Sequence, residues 1–514
     1  MGSNAKQSGA ISTRRRLFYS ASSLSVLQII EIVISFLLMP VMIAELGKQQ
    51  YGIWILIYTI SFYLGFLNVG LASSVQRYLS IAVGNRDNDE FNRVASSSFF
   101  IFVFLSILLL PAVFLISHYG GLITDAESTE KFSSVILIIG MKVILLIPGI
   151  TFMAVLVAKI RQDLQGLVEI LTAVLRAVGM YIVLKTNADI ISLAWVVLII
   201  ETLGRGGIVY FAYKICPYLS IGRRFYSAQT AKSIVVFSIQ AVLVWLGTRI
   251  RDSAHNFIIS INLGVSNIVV ISVPFMLITY AHQFVTLLIS PLTPLLTHNY
   301  SRENFPDFSR LLDIKCDIAL CVSGIILIEV VLLGNDFISI WLKGLVDMPT
   351  RIFFALGLFM FILSSQRPLY NYLTITNQQI KLMILTYIEA FIVVILEIIL
   401  IDYGLEAMIW GLVIPTLLLR GIVLPVICHK SMSAIGVNPG HVIYRPTLIA
   451  IAIIMVNYYV NLDQLLSATN WLQLILYGVL TFIVALLLCY PVINKVTRSY
   501  LLDEYRKRTA RSSI

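Results

Sequence analysis

Charge is scarce in this sequence. Of its 514 residues, 12% are Asp, Glu, Lys or Arg and 58% are hydrophobic, with a mean hydropathy of +0.90; an ordinary soluble domain carries about 25% charged residues. A water-soluble globular chain is thereby excluded. Cysteine is scarce too. Cys216, Cys316, Cys321, Cys428 and Cys489 are odd in number and show no CxxC spacing, so they suit neither a disulfide framework nor a zinc ribbon, and free thiols are expected. No zinc, P-loop or nucleophile motif occurs, and the longest stretch expected outside the membrane, 334–351, holds about 18 residues, too few for an external catalytic domain. The run TRRRLF at 13–18 looks like a twin-arginine signal, but the apolar run behind it is too long and no A-x-A site follows. Lys6 in MGSNAK stands where a myristoylation motif wants Ser or Thr.

What the chain has in abundance is apolar runs long enough to cross a bilayer, which takes roughly 20 residues. Fourteen are expected, near 18–43, 51–80, 95–117, 133–157, 168–184, 190–213, 233–260, 268–290, 311–333, 352–375, 382–401, 407–427, 446–460 and 471–493. They should be helices, since backbone groups in lipid must pair within their own segment. Runs such as ILIYTISFYLGFL also lack the alternation of barrel strands. The expected class is an all-α polytopic membrane protein.

Lys and Arg set the orientation. With the N-terminus cytoplasmic, that side holds 23 of the 37 bases, and the opposite loops hold five: Lys48, Lys131, Lys185, Lys343 and Arg351. Both termini and the 214–232 loop should therefore be cytoplasmic, with 44–50 and 334–351 external. The net charge of +10 needs no nucleic acid, because the bases are spread over segments that face anionic lipid.

The chain also carries a repeat. A shift of 217 residues sets Leu46-Gly47 on Leu263-Gly264 and EFNR (90–93) on DFSR (307–310); a shift of 215 sets Trp195 and Arg205-Gly206 on Trp410 and Arg420-Gly421. Spans 1–6 and 7–12 should then form parallel halves. The expected division is an N-lobe at 1–232, a C-lobe at 233–441, and two further spans with a basic cytoplasmic tail at 442–514.

At these residues the sequence resembles a known family. The pattern P-x6-LG-x3-YGIW from Pro40 to Trp54, then LNVGLASSVQRYLS and GNRDNDEF, and LLGNDFISIWLKG at 332–344, are similar to the multidrug/oligosaccharidyl-lipid/polysaccharide (MOP) flippase superfamily, in its polysaccharide-exporter, O-antigen flippase branch. The resemblance implies a multi-pass protein of the bacterial inner membrane that is not an enzyme. It implies movement of an undecaprenyl-diphosphate-linked oligosaccharide to the outer leaflet, with a polysaccharide polymerase and a chain-length regulator as partners. No cofactor or metal is expected beyond H+ or Na+ as coupling ion.

Such a cargo requires a cationic polar cavity. Nine bases fall inside the spans: Arg77, Lys142, Arg176, Arg205, Arg249, Arg251, Lys315, Arg367 and Arg420. Each is expensive in lipid unless it meets a cavity, a partner or the interface. Arg77, Lys315 and Arg367 lie near cytoplasmic ends and can either snorkel or face the cavity, and Arg77 and Arg367 are counted with Lys142, Arg176, Arg249, Arg251 and Asn371 as its expected lining. Glu201 and Arg205 are spaced for a local ion pair. Arg420 has Thr416 at that spacing, and Arg176 has Glu169 seven residues back. Lys142 has no evident partner and points to a water-filled lining, in a helix softened by Pro148-Gly149.

Span 7 is the densest segment. Trp245, Arg249, Asp252, Asn256 and Ser260 form one stripe, and Arg251, His255 and Asn262 a roughly opposite one. One stripe should line the cavity, where a guanidinium can grip a diphosphate with two hydrogen bonds; the alternative is an Arg and Asp network that locks span 7 to a neighbour. Span 10 adds Ser364, Arg367, Asn371 and Gln378 for a sugar chain. Glu31 and Asp252 are the candidates for ion coupling, a static bond from Glu31 to an arginine of another span being the alternative. Two other functions stay open: a cation-coupled multidrug exporter of the same superfamily, and a multi-span polysaccharide polymerase or ligase.

Overall fold

The computed structural model describes residues 2–346, 348–349, 351–435, 442–460, 465–494 and 497–498. Its helices are α1 (Gly2–Leu64), α2 (Phe66–Asn85), α3 (Asn88–His118), α4 (Thr129–Leu146), α5 (Ile150–Ala158), α6 (Gln162–Thr186), α7 (Ile190–Ile215), α8 (Ala228–Leu263) and α9 (Ile268–Ile289). Then follow α10 (Leu292–Ser301), α11 (Phe305–Trp341), α12 (Ile352–Ser365), α13 (Arg367–Ile375), α14 (Gln379–Leu400), α15 (Leu405–Leu418), α16 (Leu424–Ala434), α17 (Arg445–Val460) and α18 (Trp471–Val492). No strand occurs among the described residues.

Eleven of these segments are long and apolar enough to cross a membrane, or twelve with α8, whose two halves bend by 42°. The fourteen expected spans return when the two sides of Gly47 are counted apart and the short apolar α17 is added. α1 is unbroken except at Gly47, whose φ of 72° and ψ of 169° interrupt the helix; only glycine adopts such angles without strain. Two further breaks lie beside proline. Pro148-Gly149 separates α4 from α5 by a 3₁₀ turn, and Pro368 opens α13 after the break at Gln366. Between α15 and α16 a π turn covers Leu419–Val423. α11 runs on to Trp341, so the external stretch expected at 334–351 is helical for its first eight residues.

Two compact units divide the chain, one of residues 1–249 and 259–269, the other of residues 250–258 and 270–514. In the first, α6 packs on α1 and α7, α4 on α3 and α7, and α2 on α5. Leu71, Leu79, Phe91, Phe102, Val155 and Ile208 belong to one buried cluster there. In the second, α12 is the central helix: all of it but Leu363 is buried, against α11 and α15. α18 lies along α11, with Thr481 Oγ1 donating to Glu329 Oε1 at 2.9 Å and the Ala468 amide donating to Asp336 Oδ2 at 2.5 Å. Outer faces are greasy: Leu37, Leu203, Phe391 and Leu472 are each more than two-thirds exposed. Such surfaces are stable only against lipid. The chain is an all-α polytopic membrane protein.

Candidate functional site

Each unit holds a buried cluster of charge. In the first, Glu201 on α7 is the hub. Arg176 Nη1 on α6 donates to its Oε1 at 2.6 Å, and Lys142 Nζ on α4 stands 3.3 Å from its Oε2. Lys142 is 8% exposed and also lies over the Tyr58 ring, 5.1 Å from the centroid. The lysine expected to lack a partner thus has a carboxylate and an aromatic face. Glu31 on α1 completes the set: its Oε1 is 3.7 Å from Arg176 Nη2, and its side chain remains 52% exposed.

The cluster forms part of the wall of a cavity of ≈ 310 Å³ that also meets Glu169, Thr172 and Arg205. Arg205 does not pair with Glu201 one turn away, as its spacing suggests. Its side chain packs against Gly149, where any Cβ would collide with it, and Nη1 contacts the Met153 sulfur. The α4–α5 break therefore makes a notch for Arg205, whose buried Nε has no hydrogen-bond partner. With three carboxylates and two guanidiniums on its wall, this cavity has mixed charge rather than the purely cationic lining expected of Lys142 and Arg176.

The second cluster is sealed. Glu389 on α14 is 0% exposed; its Oε2 accepts from Arg420 Nε at 2.7 Å, its Oε1 from Thr416 Oγ1 at 3.0 Å, and both from Arg251 Nη1 at 3.3 Å. Arg420 Nη2 donates to Thr386 Oγ1 at 2.9 Å, and Arg251 Nε to Asp252 Oδ1 at 2.7 Å. Two arginines and two carboxylates balance, with hydroxyls taking up further lone pairs, which is what buried charge requires. Arg251 thus ties span 7 to span 11, and Arg420, whose partner its spacing leaves open, takes Glu389 and Thr386.

Other embedded bases stand apart from carboxylates. Arg249 lies between the Phe62 and Trp245 rings, 5.3 and 5.2 Å from their centroids. Arg77 is exposed and stacks on Phe237, and Arg367 stacks on Tyr370, both at 4.4 Å; Arg367 Nε is buried without a partner. Lys315 Nζ donates to Thr293 Oγ1 at 2.6 Å. Of the span 10 stripe, Ser364 is buried against His282 Nδ1 at 2.9 Å, Gln378 donates to Ser431 at 2.5 Å, and Asn371 is half-buried on α13. His255 is packed on Phe275, 5.0 Å between ring centres.

No family model matches the sequence, and no curated protein matches it. Solved structures do. An inward-facing multidrug-resistance MATE transporter of the MOP superfamily superposes with a TM-score of 0.69 at 16% identity, over 81% of this chain and 99% of that one. The lipid II flippase MurJ, in an inward closed conformation, gives 0.62 at 14% identity over 91% and 98%. A MOP transporter from Pyrococcus furiosus, described as having a binding pocket of reversed polarity, gives 0.59 at 16% over 82% and 94%. The chain has the fold of the MOP superfamily transporters.

Within this fold, Glu389 is the buried carboxylate that periodicity overlooks, although a carboxylate alone in the apolar run 382–396 is a signal in itself. Glu397, two turns further along α14, is another; it is fully buried and neither oxygen has a hydrogen-bond partner.

Proposed function

We propose that this protein is a flippase that carries an undecaprenyl-diphosphate-linked oligosaccharide across the bacterial inner membrane by alternating access, for synthesis of a surface polysaccharide. One observation carries the reading. Among the described residues, four of the nine bases embedded in the spans, Arg77, Arg249, Lys315 and Arg367, have no carboxylate partner. An unpaired cation at membrane depth is expensive and marks a place where an anion is met. A diphosphate is an anion of that kind, and guanidinium is suited to grip it. The likeness to a lipid II flippase supports a lipid-linked cargo. In this reading Arg249 meets the diphosphate, Glu31 with Glu201 handles the coupling ion, and Arg251 with Asp252 serves to hold span 7.

The test is deletion of the gene. Export of one surface polysaccharide should stop, with its lipid-linked repeat unit accumulating on the cytoplasmic leaflet. If the unit reaches the outer leaflet and stays unpolymerised, the protein is a polymerase. A second reading, a cation-coupled multidrug exporter, is favoured by the three glutamates of the ≈ 310 Å³ cavity and by the likeness to MATE transporters. It predicts uptake of lipophilic cations into inverted vesicles with unchanged polysaccharide export in the deletion strain.

A further inference from the structure

The first unit holds a second cavity, larger than the charged one. Lined by α2, α3, the 223–226 segment and α8, it holds ≈ 920 Å³ and shares no lining residue with the glutamate cavity. Its wall is hydrocarbon: Leu71, Phe100, Leu105, Val242 and Leu243 among others. Ser238 is the one hydroxyl among the residues deep in the wall, and it is spent, paired with Ser74 Oγ at 2.6 Å and donating to the Ile234 carbonyl. At the membrane side the rim is open, with Phe104 64%, Ile239 47% and Val235 40% exposed.

The mouth has the opposite chemistry. Arg223 and Tyr226 stand there, and the guanidinium of Arg223 is exposed with no carboxylate partner among the described residues. No acid is near in sequence either: residues 202–251 contain seven Lys or Arg and no Asp or Glu. The α8 N-terminus opens at the same place, capped by Ser227, and adds its partial positive charge.

This mouth is held in place by buried side chains of α3. Asn92 Nδ2 donates to the Tyr218 carbonyl at 3.0 Å while its Oδ1 accepts from the Ser220 amide at 2.9 Å. Ser96 Oγ donates to the Ser220 carbonyl and accepts from the Gly222 amide, at 3.3 and 3.2 Å. Ser97 Oγ bridges the amide and carbonyl of Ser227 at 3.0 and 3.3 Å. Three buried polar side chains thus fix the loop that carries Arg223, and Tyr226 packs edge-on against Phe100, 5.9 Å between ring centres. Fixing a loop in advance removes the entropy that a ligand would otherwise have to overcome.

We propose that this groove is a binding site for one anionic glycerophospholipid, its acyl chains along α3 and α8 and its phosphate on Arg223 and the α8 N-terminus. Charge complementarity sets the headgroup, the apolar wall sets the tails, and the volume lies at the upper end of the roughly 300–1,000 Å³ of ligand cavities. Its loop is the basic one expected on the cytoplasmic side, where anionic lipids attract bases. The site is independent of the cargo assigned above.

The experiment uses the full-length protein in lipid nanodiscs with a photoreactive phosphatidylglycerol, and the cross-linked peptides are mapped. Labelling should fall on α3 around Phe104 and on α8 around Ile239, and unlabelled phosphatidylglycerol should compete where phosphatidylcholine does not. Arg223→Glu should weaken competition about tenfold, Arg223→Lys should restore most of it, and Ile239→Trp should block labelling by filling the groove. Both positions are exposed, so size-exclusion profiles should match the wild type. Labelling outside the groove, labelling indifferent to Arg223→Glu, or competition by a polyprenyl phosphate but not by phosphatidylglycerol would each overturn the proposal.

Discussion

Gly52 lies with its Cα against the main-chain carbonyl of Val265, leaving no room for a side chain. Each of the two belongs to a corner. Gly47, five residues before Gly52, and Gly264, beside Val265, share one backbone conformation, with φ 72° and ψ 169° in the first and φ 85° and ψ 159° in the second. These are the two Leu-Gly corners related by the 217-residue shift. Gly52→Ala should push the corners apart at about 1–3 kcal/mol, read as a lower unfolding temperature of the purified protein. Gly84→Ala, with nothing within 4 Å of the new methyl, is the control and should be silent.

Glu389 should be essential to the fold of the second unit. Glu389→Ala leaves Arg251 and Arg420 buried without their shared acceptor, and loss of one side of such a pair amounts to about 3–5 kcal/mol. The expected outcome is loss of monodisperse protein in fluorescence size-exclusion traces. Glu389→Asp should recover part of it; equal behaviour of the two variants would show that the carboxylate does not hold the arginines.

Arg249 should act on cargo rather than on folding. It is held by two rings and no acid, so Arg249→Ala should leave insertion and thermal stability near wild type while lipid-linked oligosaccharide accumulates on the cytoplasmic leaflet. Arg249→Lys keeps the charge but not the planar fork and should retain part of the activity. Normal transport by both variants would remove Arg249 from the site.

Topology is open to direct measurement. In a cysteine-free background, Lys48→Cys should react with an impermeant thiol reagent from outside the cell, and Phe225→Cys only after the membrane is opened. Labelling of position 225 in intact cells would invert the layout.

Position along the chain is easier to read than partnership. Every apolar run that suggests a span is helical because lipid leaves the backbone no other way to pair, and the breaks at Gly47, Pro148 and Pro368 follow from the residues themselves. Pairing is different. Glu201 and Arg205 are one turn apart on a single helix, yet Lys142 and Arg176 from two other helices take the carboxylate, and Arg205 turns into the notch beside Gly149. Periodicity knows only one helix at a time. Arg251 and Arg249 show the same limit: they are two residues apart, yet one is tied to Glu389 and the other to aromatic rings, a split that depends on what α14 and α1 bring near.

The π turn at 419–423 explains an oddity of spacing. Met408, Leu412, Thr416, Arg420, Leu424, Cys428 and Met432 are all buried, at intervals of four residues throughout. A regular helix repeats every ~3.6 residues, so such a row would wind off the core; the wide turn takes up the slack. Arg420 lies in this turn, and its guanidinium is set against Glu389. Among homologues, loss of that arginine and loss of one residue of chain length at this turn should occur together.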